Sequence, residues 1–199
     1  MKTITISRQY GSGGRLVAEK LSKKLGIPYY DSNLLLIAGE KYGISPGLLK
    51  EYDERKNSSF LFGIAMLAEG YTNQDRIMLP YKLYQAQSDA MKRLVQEGPC
   101  IIVGRCADQI LKDERDLLRA FIYASDMEER INRVMKVDKV SQKDAPSRIS
   151  QKDKQRRDYY YFHTGQEWGN KENYDLCLNT STLGYDGCVD IIARLAEKG

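Results

Sequence analysis

The feature that most constrains this chain is a glycine-rich turn between two segments of different periodicity. Alternating side chains from Thr3 to Ser7 predict a strand. The turn Gly11-Ser12-Gly13-Gly14 follows, and apolar residues then recur at helical spacing until Gly26. In α/β proteins such a turn exposes backbone N–H groups at a helix N-terminus, where phosphate binds. A tight connection without a ligand has the same composition, so the turn alone leaves both interpretations open.

The rest of the chain continues to alternate strand and helix signals, which predicts an α/β fold with a parallel sheet. Short apolar runs predict strands over 29–30, 100–103, 118–123 and 175–178. Helical patterns cover 76–96 and 187–197, and a further helix follows residue 125. Ser125 and Glu128 have the spacing of a capping box for that helix.

Length and hydropathy restrict the class of protein. The chain has 199 residues, of which 42% are hydrophobic, and this is enough to build the core of one globular domain. Its longest apolar run, at 60–68, is far shorter than the roughly 20 residues that span a bilayer. The N-terminus lacks the apolar stretch of a signal peptide, so we expect a cytosolic protein.

The metal-ligating residue types are sparse. Four cysteines occur without CxxC spacing, and three of them stand among apolar residues, which predicts reduced thiols that are mostly in the core. The only histidine, His163, has no Ser or Cys partner signature and is predicted to be a surface residue. A zinc site is therefore not expected.

Charge is distributed unevenly along the chain. The formal net charge is +4, but residues 130–157 contain ten Lys or Arg against three Asp, a local balance of +7. The remainder sums to −3. Concentrated positive charge favours one anionic ligand site over general adhesion to nucleic acid. An RNA- or DNA-binding module remains a weaker alternative, because no nucleic-acid motif is recognisable.

The glycine turn departs from the Walker A pattern at three positions. When Gly11-Ser12-Gly13 is set on the end of that pattern, Gly14 stands in place of the Lys. Leu16 replaces the last Ser or Thr of a kinase-type loop, and Arg8 replaces the first Gly. The missing Lys normally bridges the outer phosphates, and the missing hydroxyl normally contacts magnesium. Arg8 or Arg15 could supply the charge, but neither restores a metal ligand.

Four segments, taken in order, resemble the cytidylate kinase-like family of the P-loop nucleoside monophosphate kinases. They are the glycine turn, 27–31, 101–108 and 173–181. The resemblance implies a three-layer P-loop kinase-like α/β fold in one domain, 1–199, with a five-stranded parallel sheet and helices on both faces. It also implies a helical monophosphate-binding insert at about 32–97 and a basic lid at about 134–170.

The implied function is that of an ATP-dependent nucleoside monophosphate kinase, which transfers the γ-phosphoryl group of ATP to a (d)CMP-type acceptor. The alternative is a nucleotide-binding or regulatory protein that lost catalysis with the Walker lysine. Nucleotides, and not membranes or nucleic acid, are the expected partners. Mg²⁺ would be held mainly by phosphates and water, without a protein metal site. The expected donor-binding residues are Arg8, Gly11, Ser12, Gly13, Gly14, Arg15 and Leu16.

Three residues are assigned to the acceptor by the same resemblance. Asp31 directly follows the second strand. Its carboxylate either binds the sugar or base of the acceptor nucleotide or caps the next helix. Arg105 follows a buried strand at the carboxyl edge of the sheet, where a guanidinium group can clamp a phosphate. Asp153, within the basic lid, is the third.

Arginines of the glycine turn, of the lid and of the helix that leads into it are the remaining candidates. Phosphoryl transfer depends on alignment and on cations placed where negative charge spreads. For any one of these residues a solvated helix face is an equal alternative. The apolar residues 60–67 are predicted to form the core of the insert or a helix that faces a partner. The residues expected to act in catalysis are Arg15, Arg130, Arg133, Arg156 and Arg157.

Overall fold

The computed structural model describes residues 1–31, Leu34 and 73–197, with 73–80 described by their backbone only. Five strands form one sheet in the order β2-β3-β1-β4-β5, and every neighbouring pair is parallel. This confirms the predicted five-stranded parallel sheet. The strands are β1 (Thr3–Arg8), β2 (Tyr29–Tyr30), β3 (Ile101–Val103), β4 (Leu117–Tyr123) and β5 (Leu176–Asn179).

Helices connect the strands on both faces of the sheet. In the described part of the chain they are α1 (Gly14–Leu25), α2 (Asn73–Glu97), α3 (Ala107–Ile110), α4 (Met127–Asp138), α5 (Ala145–Thr164) and α6 (Thr180–Glu197), with a 3₁₀ turn at Lys171–Asn173. Gly26 ends α1 in a left-handed conformation, as its position after the last apolar residue predicts. Among the described residues, no helix combines the length and the apolar character needed to cross a bilayer.

Two hydrophobic clusters hold the layers together. On one face, Val17 and Leu21 of α1 and Ile192 of α6 pack on the sheet. On the other face, Met91 of α2 and Leu111 of α3 do the same. Burying each of these large side chains contributes about 1.5–3 kcal/mol. The predicted three-layer arrangement is therefore confirmed for the described residues. Three of the four cysteines are buried, as predicted.

The order of the strands determines where a ligand can bind. β1 is central, with β3 on one side and β4 on the other, so the connections after β1 and β3 leave from the same carboxyl edge. In open parallel sheets, ligands bind outside this edge at the point where the strand order reverses. Residues 9–13 leave β1 at that point.

The predicted capping box at the start of α4 is wrong. The N-cap is Asp126, whose Oδ1 accepts hydrogen bonds from the N–H groups of Glu128 at 2.8 Å and Glu129 at 3.3 Å. Ser125 instead donates its N–H to Oδ1 of Asn179 at 3.1 Å. Asn179 ends β5, so a contact between distant segments places Ser125 outside the helix.

The last helix contains a break close to its predicted start. α6 extends from Thr180 to Glu197, but Gly184 interrupts it with φ 66° and ψ 174°, a conformation open almost only to glycine. The break separates a short first turn from the main helix, which the sequence pattern predicts at 187–197.

The expected insert at 32–97 falls largely outside the described residues, and its apolar segment 60–67 lies wholly outside them. Its last helix is α2. The expected lid at 134–170 contains the end of α4 and all of α5. The functional division of the chain into insert and lid stays a prediction.

Candidate functional site

Among the residues that the structure describes, no side chain caps the N-terminus of α1. Its N-cap is Gly13, with φ 82°, and no acidic residue occupies the first turn. The first amide groups of a helix have no acceptor within the helix, and the helix dipole adds partial positive charge there. This end of the helix follows β1 at the carboxyl edge of the sheet, so it has the chemistry of an anion site.

Each glycine of the turn has another residue packed directly against it. A Cβ atom placed on Gly11 would lie 2.9 Å from the carbonyl oxygen of Arg130. One placed on Gly13 would collide with the ring of Tyr185. Close approach of α4 and α6 to the turn therefore requires glycine at both positions.

Ser12 attaches the turn to neighbouring strands. Its buried hydroxyl lies 2.8 Å from the carbonyl oxygen of Gln9 and 3.2 Å from that of Ile122, so its proton is donated within the protein. The hydroxyl of Thr180 donates to the carbonyl of Ser12 at 2.9 Å. These bonds hold the turn against the ends of β4 and β5. Ser12 thus anchors the turn to the strands beside it.

Asp31 is shared by two arginines. Its Oδ1 accepts from Nη2 of Arg8 at 3.2 Å, and its Oδ2 lies 3.4 Å from Nε of Arg15. The Arg8 side chain is 19% exposed, whereas that of Arg15 is 67% exposed. The structure therefore brings together one residue assigned to the acceptor and two assigned to the donor phosphates.

Arg130 and Asp153 clamp the backbone of Tyr10. Nη2 of Arg130 donates to Oδ2 of Asp153, and Nε of Arg130 donates to the carbonyl of Tyr10 at 2.9 Å. The N–H of Tyr10 donates to Oδ1 of Asp153 at 2.7 Å, and its hydroxyl donates to Asp138 at 2.5 Å. Arg130 and Asp153 are each 6% exposed. Both residues are thus engaged in holding the segment that precedes the glycine turn.

Arg156 also contacts this segment. Its Nη1 donates to the carbonyl oxygen of Arg8 at 2.6 Å, and its guanidinium carbon lies 5.2 Å from the centre of the Tyr10 ring. Burial, with the positive charge of Arg8 as a further cause, lowers the pKa of Arg156 to about 9. Two cationic side chains therefore lie close together at the end of β1.

The other two arginines expected to act in catalysis, Arg133 and Arg157, differ in their environment. Nη1 of Arg133 donates to the hydroxyl of Tyr185 at 3.3 Å, and its guanidinium carbon lies 5.1 Å from the centre of that ring. Arg157 is exposed on α5. Leu16, in the first turn of α1, is half-buried and brings no hydroxyl group to the site.

Arg105 lies in an unusual backbone segment. Gly104, Arg105 and Cys106 follow β3 with φ values of 76°, 60° and 57°, so three consecutive residues are left-handed. For residues with a Cβ atom this conformation costs roughly 1–2 kcal/mol each. Such strain persists where the surrounding structure enforces it, and it clusters at ligand sites. The segment lies at the same edge of the sheet as the glycine turn.

Sequence patterns gave no indication of a buried hydrogen-bonded pair beside this segment, which Asp108 and Tyr160 form. Asp108 is 3% exposed and accepts a hydrogen bond from the hydroxyl of Tyr160 at 2.6 Å. Burial raises the pKa of the Asp108 carboxyl group, and burial together with Asp108 raises that of Tyr160. The bond fastens α5 to the helix that follows β3. Tyr185 was also missed, because nothing in its neighbourhood marks it as a contact of Gly13.

The prediction that His163 is a surface residue is only partly correct, because its side chain is half-buried. Its ring stacks on Tyr84 of α2, with centroids 4.0 Å apart and planes within 5°. Burial lowers the pKa of His163 to about 4. A partner about 80 residues earlier in the chain covers it, and a local pattern cannot reveal such a partner.

Comparison with known proteins identifies the family. A family model described as the cytidylate kinase-like family matches residues 3–182. The match covers most of the sequence, so the chain belongs to this family, as the resemblance predicts. No curated protein matches the chain.

Solved structures support the same fold. A crystal structure of an uncharacterized protein from Eubacterium ventriosum is 26% identical, with a TM-score of 0.73 and full coverage of both chains. A shikimate kinase from Bacteroides thetaiotaomicron is 12% identical, with a TM-score of 0.55 over 98% of each chain. A gluconokinase from Sinorhizobium meliloti is 15% identical, with a TM-score of 0.52 over 99% of this chain and 94% of the other. The two kinases show that the fold is that of P-loop kinases.

Proposed function

We propose that this member of the cytidylate kinase-like family is an ATP-dependent phosphotransferase, and that it transfers the γ-phosphoryl group of ATP to a nucleoside monophosphate of the (d)CMP type. Family membership and the P-loop kinase fold support a kinase of nucleotides or other small molecules. The acceptor and the use of ATP are our proposal.

One observation carries the proposal. Among the described residues around the N-terminus of α1, cationic side chains outnumber anionic ones: Arg8 and Arg15 contact the carboxylate of Asp31, and Arg156 lies beside Arg8. The second carboxylate is that of Asp153, which pairs with Arg130 and lies 4.0 Å from Nη1 of Arg156. An anion bound at the turn would relieve the repulsion between Arg8 and Arg156, and a polyphosphate matches both the amide groups and the charge.

The remaining residues divide between donor and acceptor. The amide groups of residues 11–16 would bind the donor phosphates. Arg105 would bind the acceptor phosphate, with Asp31 at the neighbouring strand end. Arg133 and Arg157, on helices that flank the turn, would add positive charge as negative charge spreads over the moving phosphoryl group.

The side chains described near the glycine turn are compatible with a magnesium ion whose ligands come mainly from the nucleotide and from water. Within residues 1–31, 34 and 73–197, no cluster of three or more His, Cys, Asp or Glu side chains is placed to hold a metal. Leu16 and the internally bonded Ser12 offer no hydroxyl ligand. Mg²⁺ often keeps most of its ligands as phosphate and water oxygens. When bound, it neutralises charge on the β- and γ-phosphates.

The test is formation of ADP by the purified full chain with Mg-ATP and a panel of acceptors. We expect turnover with CMP or dCMP and slower turnover with UMP, AMP or GMP. Formation of ADP only with shikimate or gluconate would support kinase activity but would reject a nucleoside monophosphate as the acceptor. Absence of ADP with every acceptor would reject the proposal.

A second candidate function is nucleotide binding without catalysis, which is favoured by Gly14 and Leu16 in place of the Walker Lys and hydroxyl residue. Calorimetry separates the two candidates. Tight binding of ATP that is unaffected by Mg²⁺, together with absence of turnover, would support the second. Binding that strengthens with Mg²⁺ and is followed by turnover would support the first.

A further inference from the structure

We propose that Arg8 replaces the Walker lysine through an exchange of two positions. The pattern has Gly where this chain has Arg8, and Lys where this chain has Gly14. Compared with the pattern, this chain therefore has its long cationic side chain at the end of β1 instead of the start of α1. The glycine is found at the start of α1 instead of the end of β1. This inference rests on the proposed function and chooses between Arg8 and Arg15 as the phosphate-binding cation.

Packing makes the two positions mutually exclusive. A Cβ atom placed on Gly14 would lie 2.5 Å from Cβ and 2.9 Å from Cγ of Arg8. Real Cβ atoms do not approach other heavy atoms below 3.0 Å, and the β- and γ-carbons next to the backbone have little freedom to move. A side chain at position 8 therefore requires glycine at position 14. A lysine at position 14 would conversely require glycine at position 8.

The course of the Arg8 side chain supports the exchange. Its stem passes Gly14, and its Nη1 lies so close to Gly104 that any Cβ there would collide with it. Its Nη2 donates to Asp31. The guanidinium group is thereby held between the ends of β1, β2 and β3, at the edge where the phosphates would lie. A preorganised guanidinium loses less conformational entropy on binding an anion.

Arg15 is less suited to the same task. Its side chain is 67% exposed and extends from the first turn of α1, and its Nε lies 3.4 Å from Asp31. Long exposed side chains lose more entropy when they are fixed, and solvent screens their charge. Arg156 donates to the backbone of Arg8 and adds a second positive charge beside it.

The experiment compares ATP binding by the full chain and by matched variants, using titration calorimetry. Arg8→Met keeps the stem over Gly14 and removes the charge. The exchange variant, Arg8→Gly with Gly14→Lys, restores the Walker arrangement, whereas Gly14→Lys alone creates the collision. Arg115→Ala removes an exposed arginine just before β4, at the opposite edge of the sheet, and serves as the control. Circular dichroism and thermal unfolding identify variants that fold.

We expect Arg8→Met to bind ATP roughly 10- to 100-fold more weakly, the effect of losing one charge-assisted hydrogen bond. The exchange variant should recover binding to within a few-fold of the original chain, and Arg115→Ala should not change it. Unchanged binding by folded Arg8→Met, or no recovery in a folded exchange variant, would overturn this inference and leave the proposed function standing. An original chain that does not bind ATP would overturn both.

Discussion

Arginine side chains around the glycine turn have two kinds of role, which differ in what their donor groups contact. Arg130 and Arg156 donate to the backbone carbonyls of Tyr10 and Arg8, so they position the segment that leads into the turn. Arg8 and Arg15 contact a carboxylate, and a competing anion can share these contacts. A count of positive charges in the sequence does not separate these roles.

Replacement of Arg105 by alanine tests its role at the acceptor. We expect the acceptor KM to rise roughly 10- to 100-fold, because a charge-assisted contact to phosphate is lost. The KM for ATP should change little, and the circular dichroism spectrum should be that of the original chain. Steady-state kinetics with varied acceptor measure the effect. An unchanged acceptor KM would remove Arg105 from the site.

His163 makes stability depend on pH in a defined window. Its folded pKa of about 4 lies below the ordinary value of 6.5, so the unfolded chain binds the proton more readily. The contribution of neutral His163 to the free energy of unfolding is fully present above pH 6.5 and declines between pH 6.5 and about 4. Below pH 4 this contribution changes no further. His163→Phe keeps a ring against Tyr84 and cannot ionise. The free energy of unfolding of the original chain should fall by about 2 kcal/mol relative to this variant across the window, after allowance for partial exposure. Parallel pH curves for the two proteins would contradict the prediction.

At the scale of elements, α5 joins the expected lid to the centre of the sheet. Asp153 and Arg156 contact the segment after β1, and Tyr160 contacts Asp108 beyond β3. The helix is thus bonded to the chain near the ends of both strands that border the site. Its basic residues alone would suggest a solvated surface helix.

Loss of the clamp on Tyr10 should destabilise the protein strongly. Asp153→Ala leaves Arg130 buried without its carboxylate, which costs about 3–5 kcal/mol. The matched control on the same helix is Asp158→Ala, which breaks an exposed pair with Lys154. The control should cost less than about 0.5 kcal/mol. Urea unfolding measures both variants, and equal midpoints would show that the buried pair does not stabilise the fold.

The N-cap of α4 provides a smaller test of local structure. Asp126→Ala removes the oxygen that accepts from two backbone N–H groups and should cost about 1 kcal/mol. Ser125→Ala removes only an exposed hydrogen bond from Asn179, so it should cost less. Thermal unfolding compares the two variants. A larger loss for Ser125→Ala would favour the capping box that the sequence pattern predicts.

At the scale of the molecule, positive charge is concentrated on the helices that border the site. Residues 130–157, which carry a balance of +7, form most of α4 and of α5, while the rest of the chain is negative. Such a distribution attracts an anion to one side of the molecule. The stability that comes from the apolar core should not depend on the ionic strength.

Nucleotide binding should therefore depend on salt while folding does not. We expect the affinity for ATP to fall several-fold between about 50 mM and about 300 mM NaCl. Added salt shortens the Debye length and so screens the attraction between the basic helices and the nucleotide. The free energy of unfolding, measured over the same range without nucleotide, should change by less than about 0.5 kcal/mol. An ATP affinity that is insensitive to salt would contradict a role for the basic helices.

Periodicity and turn residues were sufficient to predict most of the described architecture. β1, α1 and β3 follow directly from alternating or apolar runs bounded by glycine, because local backbone preferences and burial act over a few residues. The start of α4 was predicted one residue too early, since Ser125 and Asp126 can both cap and only the contact with Asn179 separates them. For the site, sequence patterns located the glycine turn and Arg105 at one edge of the sheet.

The chain's residue pattern was enough to predict an α/β fold with a parallel sheet and a glycine turn between its first strand and first helix, because periodicity and the alternation of strand and helix signals are local properties of the sequence. Tertiary packing decided which cations lie there and what they contact. It placed Arg8 across Gly14, paired Arg130 with Asp153 on the backbone of Tyr10, and stacked His163 on Tyr84. These contacts join residues far apart in the chain, and their energies depend on burial and distance, which exist only after the helices have docked on the sheet.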